Sequence, residues 1–251
     1  MQHIFSPKGL FCLALTLLPF AAQASEDDDE DFHFRPFWVE PADRIEWGHG
    51  HLVAGVDHEQ RPANGARRRI GTPLEGTFGI GWGFSAVLAL EGGAQSVFDQ
   101  QANSHSANRA VKLRYSLPEW QSLHFMVLSS LAWESGNQRR DHSNGYALAW
   151  DIAPNLVLSH GQSWQLRQSD DARRGREWGV NLFRTGLGND GRWALGGEWR
   201  ETFSPDNTHQ RTYLLGLGRV VGKGLMADLA IGRTLADSNT RHLTAGLSWF
   251  Y

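Results

Sequence analysis

The feature that most restricts this chain is a series of short segments, from residue 46 onward, in which apolar and polar residues alternate with a period of two. That period belongs to a strand with one apolar face. The segments fall at about 46–57, 71–79, 83–95, 108–117, 122–134, 143–152, 155–166, 176–184, 191–203, 210–219, 224–235 and 241–251, separated by Gly, Asn, Asp, Ser and Pro clusters. Their number is twelve. The connections alternate: those near 80–82, 118–121, 153–154, 185–190 and 220–223 are short, and those near 58–70, 96–107, 135–142, 167–175, 204–209 and 236–240 are mostly longer and more charged. Short turns on one side and longer loops on the other, with an even strand count, are expected of a membrane-spanning barrel. The expected fold class is therefore all-β, a transmembrane antiparallel up-and-down β-barrel of about 12 strands. Hydrocarbon leaves no backbone amide a water partner, so closure is required, and segment 46–57 is expected to run antiparallel to 241–251.

Facing follows from the alternation. Segment 122–134 sets Leu123, Phe125, Val127, Leu131 and Trp133 against His124, Met126, Ser130 and Glu134. Comparable patterns in the other segments give an inward, lumen-lining set of Lys112, Arg114, His124, Glu134, Asp151, Glu177, Asn181, Glu198, Arg200 and Asp228. Both signs of charge are present. Either they pair and fill a narrow interior, because isolated charges out of water are costly, or they oppose one another across a water-filled passage. Twelve strands lie between side-chain-filled eight-stranded barrels and open 16-stranded porins, which makes any passage narrow. Segment 46–57 has no clear facing, because Gly48, Gly50 and Gly55 blur its phase. Trp120, Trp133, Trp150, Trp178, Trp193, Trp199 and Trp249 are expected near strand ends, as an interfacial belt requires.

Residues 1–24 carry Lys8, an apolar run from Leu10 to Ala22 and the sequence Ala22-Gln23-Ala24, which reads as a signal peptide cleaved near Ala24. The run is shorter than the ~20 residues of a spanning helix. Residues 25–45 form an acidic segment, opening Ser-Glu-Asp-Asp-Asp-Glu-Asp, that is expected to be disordered; its aromatic part, with Phe32, Phe34, Phe37 and Trp38, suits an interface anchor or a small plug, or a contact with an envelope partner. Residues 46–251 are the barrel. The single cysteine, Cys12, lies in the leader, so the mature chain excludes thiol catalysis and zinc-thiolate sites. With a formal net charge of −3 the chain offers no nucleic-acid partner, and 11 Trp with 28 Gly suit a barrel with aromatic girdles. Its basic residues after the leader are almost all arginine, only Lys112 and Lys223 being lysine.

The final segment resembles the closing strand of bacterial outer-membrane β-barrels: Thr244, Gly246, Trp249 and Tyr251 occupy the polar, glycine, third-last and last places of that pattern. The resemblance implies an outer-membrane location and recognition by the barrel assembly machinery. Residues 225–251, with Asp228, Gly232 and Gly246, and the run Thr72-Pro73-Leu74-Glu75-Gly76 are also similar to small transporters of the MetA phenol-degradation family, which implies passive passage of a small molecule.

Three further constellations bear on chemistry. His142-Ser143-Asn144-Gly145 is similar to the motif of barrel lipid hydrolases, but adjacent strand residues point to opposite faces, so His142 is not placed to take a proton from Ser143; His160 and Ser163 fail likewise. Arg67, Arg68 and Arg69 lie in or beside the first long connection, where they could meet lipopolysaccharide phosphates. His49 and His51 share a face, without a carboxylate that the sequence places beside them, so no metal or cofactor is expected. The expected function is a narrow channel or passive transporter for a small solute, with a plugged barrel serving an envelope partner and a lipid hydrolase as alternatives; no enzyme activity is expected.

Overall fold

The structure, a computed structural model, describes residues 42, 44–61, 67–97, 103–134, 140–167, 174–204, 208–235 and 239–251. The leader and most of the acidic segment lie outside them. Twelve antiparallel strands close on themselves: β1 (Gly50–Arg61), β2 (Arg67–Gly81), β3 (Phe84–Val97), β4 (Asn103–Ser116), β5 (Leu123–Glu134), β6 (Arg140–Ala153), β7 (Leu156–Arg167), β8 (Arg174–Leu187), β9 (Trp193–Phe203), β10 (His209–Gly222), β11 (Leu225–Leu235) and β12 (Thr240–Phe250). Each strand pairs with its neighbours in sequence, and β1 pairs with β12 from His51↔Phe250 to Gln60↔Arg241. Across that seam the Thr244 hydroxyl donates to the Asp57 carboxylate. The β1–β2 ladder is interrupted between Ala54↔Leu74 and Asp57↔Gly71, at Pro73, which has no N–H to give.

The five connections on the side of the chain's two described ends are turns. Trp82 and Gly83 make the β2–β3 turn, both with positive φ, as a tight hairpin demands. A Cβ at Gly83 would lie 2.4 Å from the Ser116 carbonyl oxygen, so only glycine fits. In the β8–β9 turn, Asp190 accepts the Arg192 amide and faces Arg219 at 3.5 Å; these contacts hold its carboxyl below the ordinary carboxylate range. The opposite connections, 62–66, 98–102, 135–139, 168–173, 204–208 and 236–239, are shorter than the sequence suggests, because the strands continue into them. As a result Arg67, Arg68 and Arg69 are strand residues of β2 and not part of a loop.

The outer wall is apolar over its middle. On β11, Leu229 and Ile231 are 48% and 56% exposed, while Asp228 and Ala230 between and beside them are buried inward. Strands of 11 to 15 residues, rising ~3.4 Å per residue and tilted by ~40°, climb roughly 29–39 Å. That is enough to cross an apolar band ~25 Å tall. Aromatic rings border the apolar band. Towards the turns, Phe84 packs on Tyr115 at 4.6 Å and Trp249 on Tyr251 at 5.3 Å; towards the loops, Trp199 packs on Tyr213 at 5.3 Å and Trp164 on Tyr146 at 6.0 Å. Trp178 and Trp199 thus lie at the edge of the apolar band and not at strand ends, since β8 and β9 run on past them.

The interior towards the turns is filled. Met126, Ala147 and Ala149 point inward and are buried against Ala42, itself 1% exposed, with Leu128 and Val157 packed around them. Ala194 and Met226, with Phe183 and Leu214, make a second apolar cluster on the opposite wall. Ala42 therefore sits inside the barrel. From there the chain reaches Glu46, whose carbonyl oxygen would be 1.8 Å from a Cβ at Gly79 on the inner face of β2. Four residues span at most ~14 Å, so Ala42 and the Glu46 carbonyl, both on the inner side of the wall, lie close together just before β1.

Candidate functional site: the barrel lumen

The pairing register, read with burial, turns Lys112, Arg114, His124, Asp151, Glu177, Asn181, Glu198, Arg200 and Asp228 inward, and places Glu134 at an inward position of β5. It also fixes β1, whose phase the sequence leaves open: His51, Val53, Asp57 and Glu59 face the lumen. Residues that sequence reasoning missed come mostly from β1, β2 and β3. Glu75 accepts from Lys112 Nζ at 3.2 Å, Glu91 holds Arg69 at 2.5 Å, and Glu59 faces His242 at 3.8 Å. The alternation Arg69, Gly71, Pro73, Glu75, Thr77 carried the signal, diluted by two residues without polar side chains. Arg69 is therefore inside the barrel, held by Glu91. Arg68 points outward.

Above the packed floor lies a cavity of about 130 Å³ lined by Lys112, Ser130, Ser143, Ser163, Gln165 and Glu177, with Leu128 and Ala147 shared between its base and the Ala42 cluster. Ser130 and Ser143 hydroxyls meet at 2.7 Å. Glu177 accepts from Thr202 at 3.0 Å and faces Arg200 at 3.5 Å. The chamber thus presents a cation on one wall, a carboxylate on another and hydroxyls between. Its volume matches about four waters and is below the ~300 Å³ at which ligand pockets begin.

Charge in the lumen is unequal. Among the described side chains, Asp57, Glu59, Glu75, Glu91, Asp141, Asp151, Glu177, Glu198 and Asp228 face inward against Arg61, Arg69, Lys112, Arg114 and Arg200, nine acids to five bases. At the turn-side mouth, donor atoms of Glu119, His124 and Asp151 lie within 4.8 Å of one another, with His124 Nε2 and Asp151 Oδ2 at 2.9 Å. The His124–Asp151 contact already pairs two of the three, and an ion is not required to explain it.

The hydrolase motif is taken apart by the fold. Ser143 lines the cavity, whereas His142 points to the outer wall, where its Nε2 meets Ser129 Oγ at 3.1 Å. His160 is also outward and contacts the Tyr146 hydroxyl at 3.2 Å, while Ser163 is inward. His51 is buried in the lumen against Thr77 at 3.1 Å, and His49 stands in the turn before β1.

No family model and no curated protein matches the chain. Its fold is shared with solved outer-membrane channels. The COG4313 outer membrane channel from Pseudomonas putida F1 superposes with a TM-score of 0.65 at 12% identity, over 90% of this chain and 100% of that one. The NanC porin gives 0.59 at 9% identity, over 78% and 98%, and the KdgM porin 0.56 at 14%, over 79% and 99%. At these identities the likeness is one of architecture: a closed antiparallel barrel of the kind that outer-membrane porins and channels use.

Proposed function

We propose that the protein is an outer-membrane β-barrel acting as a narrow channel or passive transporter for a small polar solute, neutral or cationic. The observation that carries this reading is a polar chamber inside a wall whose outer surface is apolar over the height of a bilayer. Turns then face the periplasm and loops the exterior, the leader at 1–24 delivers the chain to the periplasm, and the Thr244, Gly246, Trp249 and Tyr251 pattern hands it to the assembly machinery. The KdgM porin is also known in complex with disordered oligogalacturonate. Among the described side chains, nine inward acids stand against five bases, which disfavours such a polyanion here, because a lumen of one dominant sign repels like charge. The narrower resemblance to MetA-type transporters belongs to this proposal and supports only the small size of the solute. Reversal potentials in a KCl gradient across planar bilayers test the reading: the wild type favours K⁺, and Lys112→Ala favours it further. Anion preference in the wild type would refute it.

A second reading, a barrel held plugged and serving an envelope partner, draws on Ala42 inside the lumen. Photocrosslinkers placed at Phe32 or Trp38 in cells separate the two. Capture of one defined envelope protein supports the partner, and labelling of the barrel's own wall removes it. The lipid-hydrolase reading retains only the Ser129–His142 contact. Esterase turnover by the purified barrel that Ser129→Ala abolishes would revive it.

A further inference from the structure

Among the described side chains, the outer wall is basic where the lumen is mostly acidic. Among the described side chains, the outward positions of all twelve strands hold one acid, Glu201, while arginine recurs at their loop-side ends: Arg68, Arg109, Arg176, Arg211, Arg233 and Arg241, all exposed. Four of these lie together. The register runs Arg68↔Gln60 across β2–β1, Gln60↔Arg241 across β1–β12 and Arg241↔Arg233 across β12–β11, and Arg233 pairs with Tyr213, two residues from Arg211 on β10. Arg233 and Arg241 are directly opposite cross-strand neighbours. Like charges in that relation destabilise a sheet, and Glu201, at 3.2 Å from Arg211, is the one acid on that part of the wall. The row lies just above Leu229, Ile231 and Leu243, where the apolar wall ends.

We infer that Arg68, Arg211, Arg233 and Arg241 form a binding arc for the phosphate-bearing headgroup of an outer-leaflet lipid, whose acyl chains lie along the apolar wall below. This rests on the proposed outer-membrane location. The chemistry fits the residue type: a guanidinium offers paired N–H donors that match phosphate oxygens bidentately, and it keeps its charge next to other cations. A dianionic headgroup between Arg233 and Arg241 converts their repulsion into two attractive contacts. It also accounts for arginine and not lysine at these four positions. The sequence-level expectation of a phosphate contact at Arg67, Arg68 and Arg69 is thereby moved: Arg68 belongs to the arc, Arg69 is held in the lumen, and the other members come from β10, β11 and β12.

The test uses the folded full-length mature barrel in non-ionic detergent, with folding checked by heat-modifiable migration. Binding is measured to bisphosphorylated lipid A, to the same lipid dephosphorylated, and to inorganic phosphate. The wild type is expected to bind the bisphosphorylated lipid at least tenfold more tightly than the dephosphorylated one, and Arg233→Gln with Arg241→Gln to abolish that difference. Arg184→Gln, an outward arginine at the turn side, leaves it unchanged. Equal affinity for the two lipids, equal loss in Arg184→Gln, or inorganic phosphate bound as tightly as the lipid would each overturn the inference. Because this readout is independent of conductance and of cell fractionation, its failure is distinguishable from failure of the channel or of its location.

Discussion

Leu229 and Asp228 are neighbours in sequence and occupy opposite worlds. Leu229 is half exposed on the outer wall and Asp228 is buried in the lumen, so one substitution at each position reports on a different solvent. Leu229→Arg is expected to destabilise the barrel in lipid by about 2–4 kcal/mol, the cost of an arginine near the bilayer midplane. Reversible unfolding from vesicles in denaturant measures it, and a change below 1 kcal/mol would place Leu229 away from hydrocarbon. Alternation made both residues legible in the sequence. It failed at Arg69, because a residue beyond the apolar band has polar neighbours on both faces and nothing in its own segment says which way it points. Only the ladder partners decide: Glu59 on one side and Gln95 on the other.

For the strands, existence and order were readable and length was not. The segment anticipated at 108–117 is β4 over Asn103–Ser116, and the one at 71–79 is β2 over Arg67–Gly81. Both grow at the loop side, where arginine, asparagine and serine extend the ladder above the apolar band without a period-two signature. The turn side was clearer, since Trp82-Gly83, Pro154-Asn155 and Lys223-Gly224 announce tight hairpins. Closure depends on β12, which pairs with β11 from Leu225↔Trp249 and with β1 from His51↔Phe250. A chain ending at Leu247 leaves His51, Leu52 and Val53 without strand partners at the seam. It is expected to lose the heat-modifiable folded form in electrophoresis; persistence of that form would show that the seam closes without the final strand's aromatic end.

Taken whole, the molecule is an apolar cylinder with exposed arginines at its loop-side rim, around a lumen whose described side chains are mostly acidic and whose turn-side part is packed. Most of that was implied by the series of alternating segments, and a plug formed by the segment at 25–45 was one of the expectations, but which residue enters the lumen was not legible: no motif marks Ala42 as an interior residue, because alanine carries no facing signal and the segment before Trp47 has no period. Its place depends on what Met126, Ala147 and Ala149 leave room for across the barrel. In the proposed channel, solute reaches the chamber of Lys112, Ser143 and Glu177 from outside and the segment through Ala42 narrows the way to the periplasm. Single-channel conductance in planar bilayers tests this directly, comparing the chain that begins at Ser25 with one lacking residues 25–45. Small discrete steps from the first and a several-fold larger conductance from the second are predicted. No conductance from either, or the same conductance from both, would contradict the account.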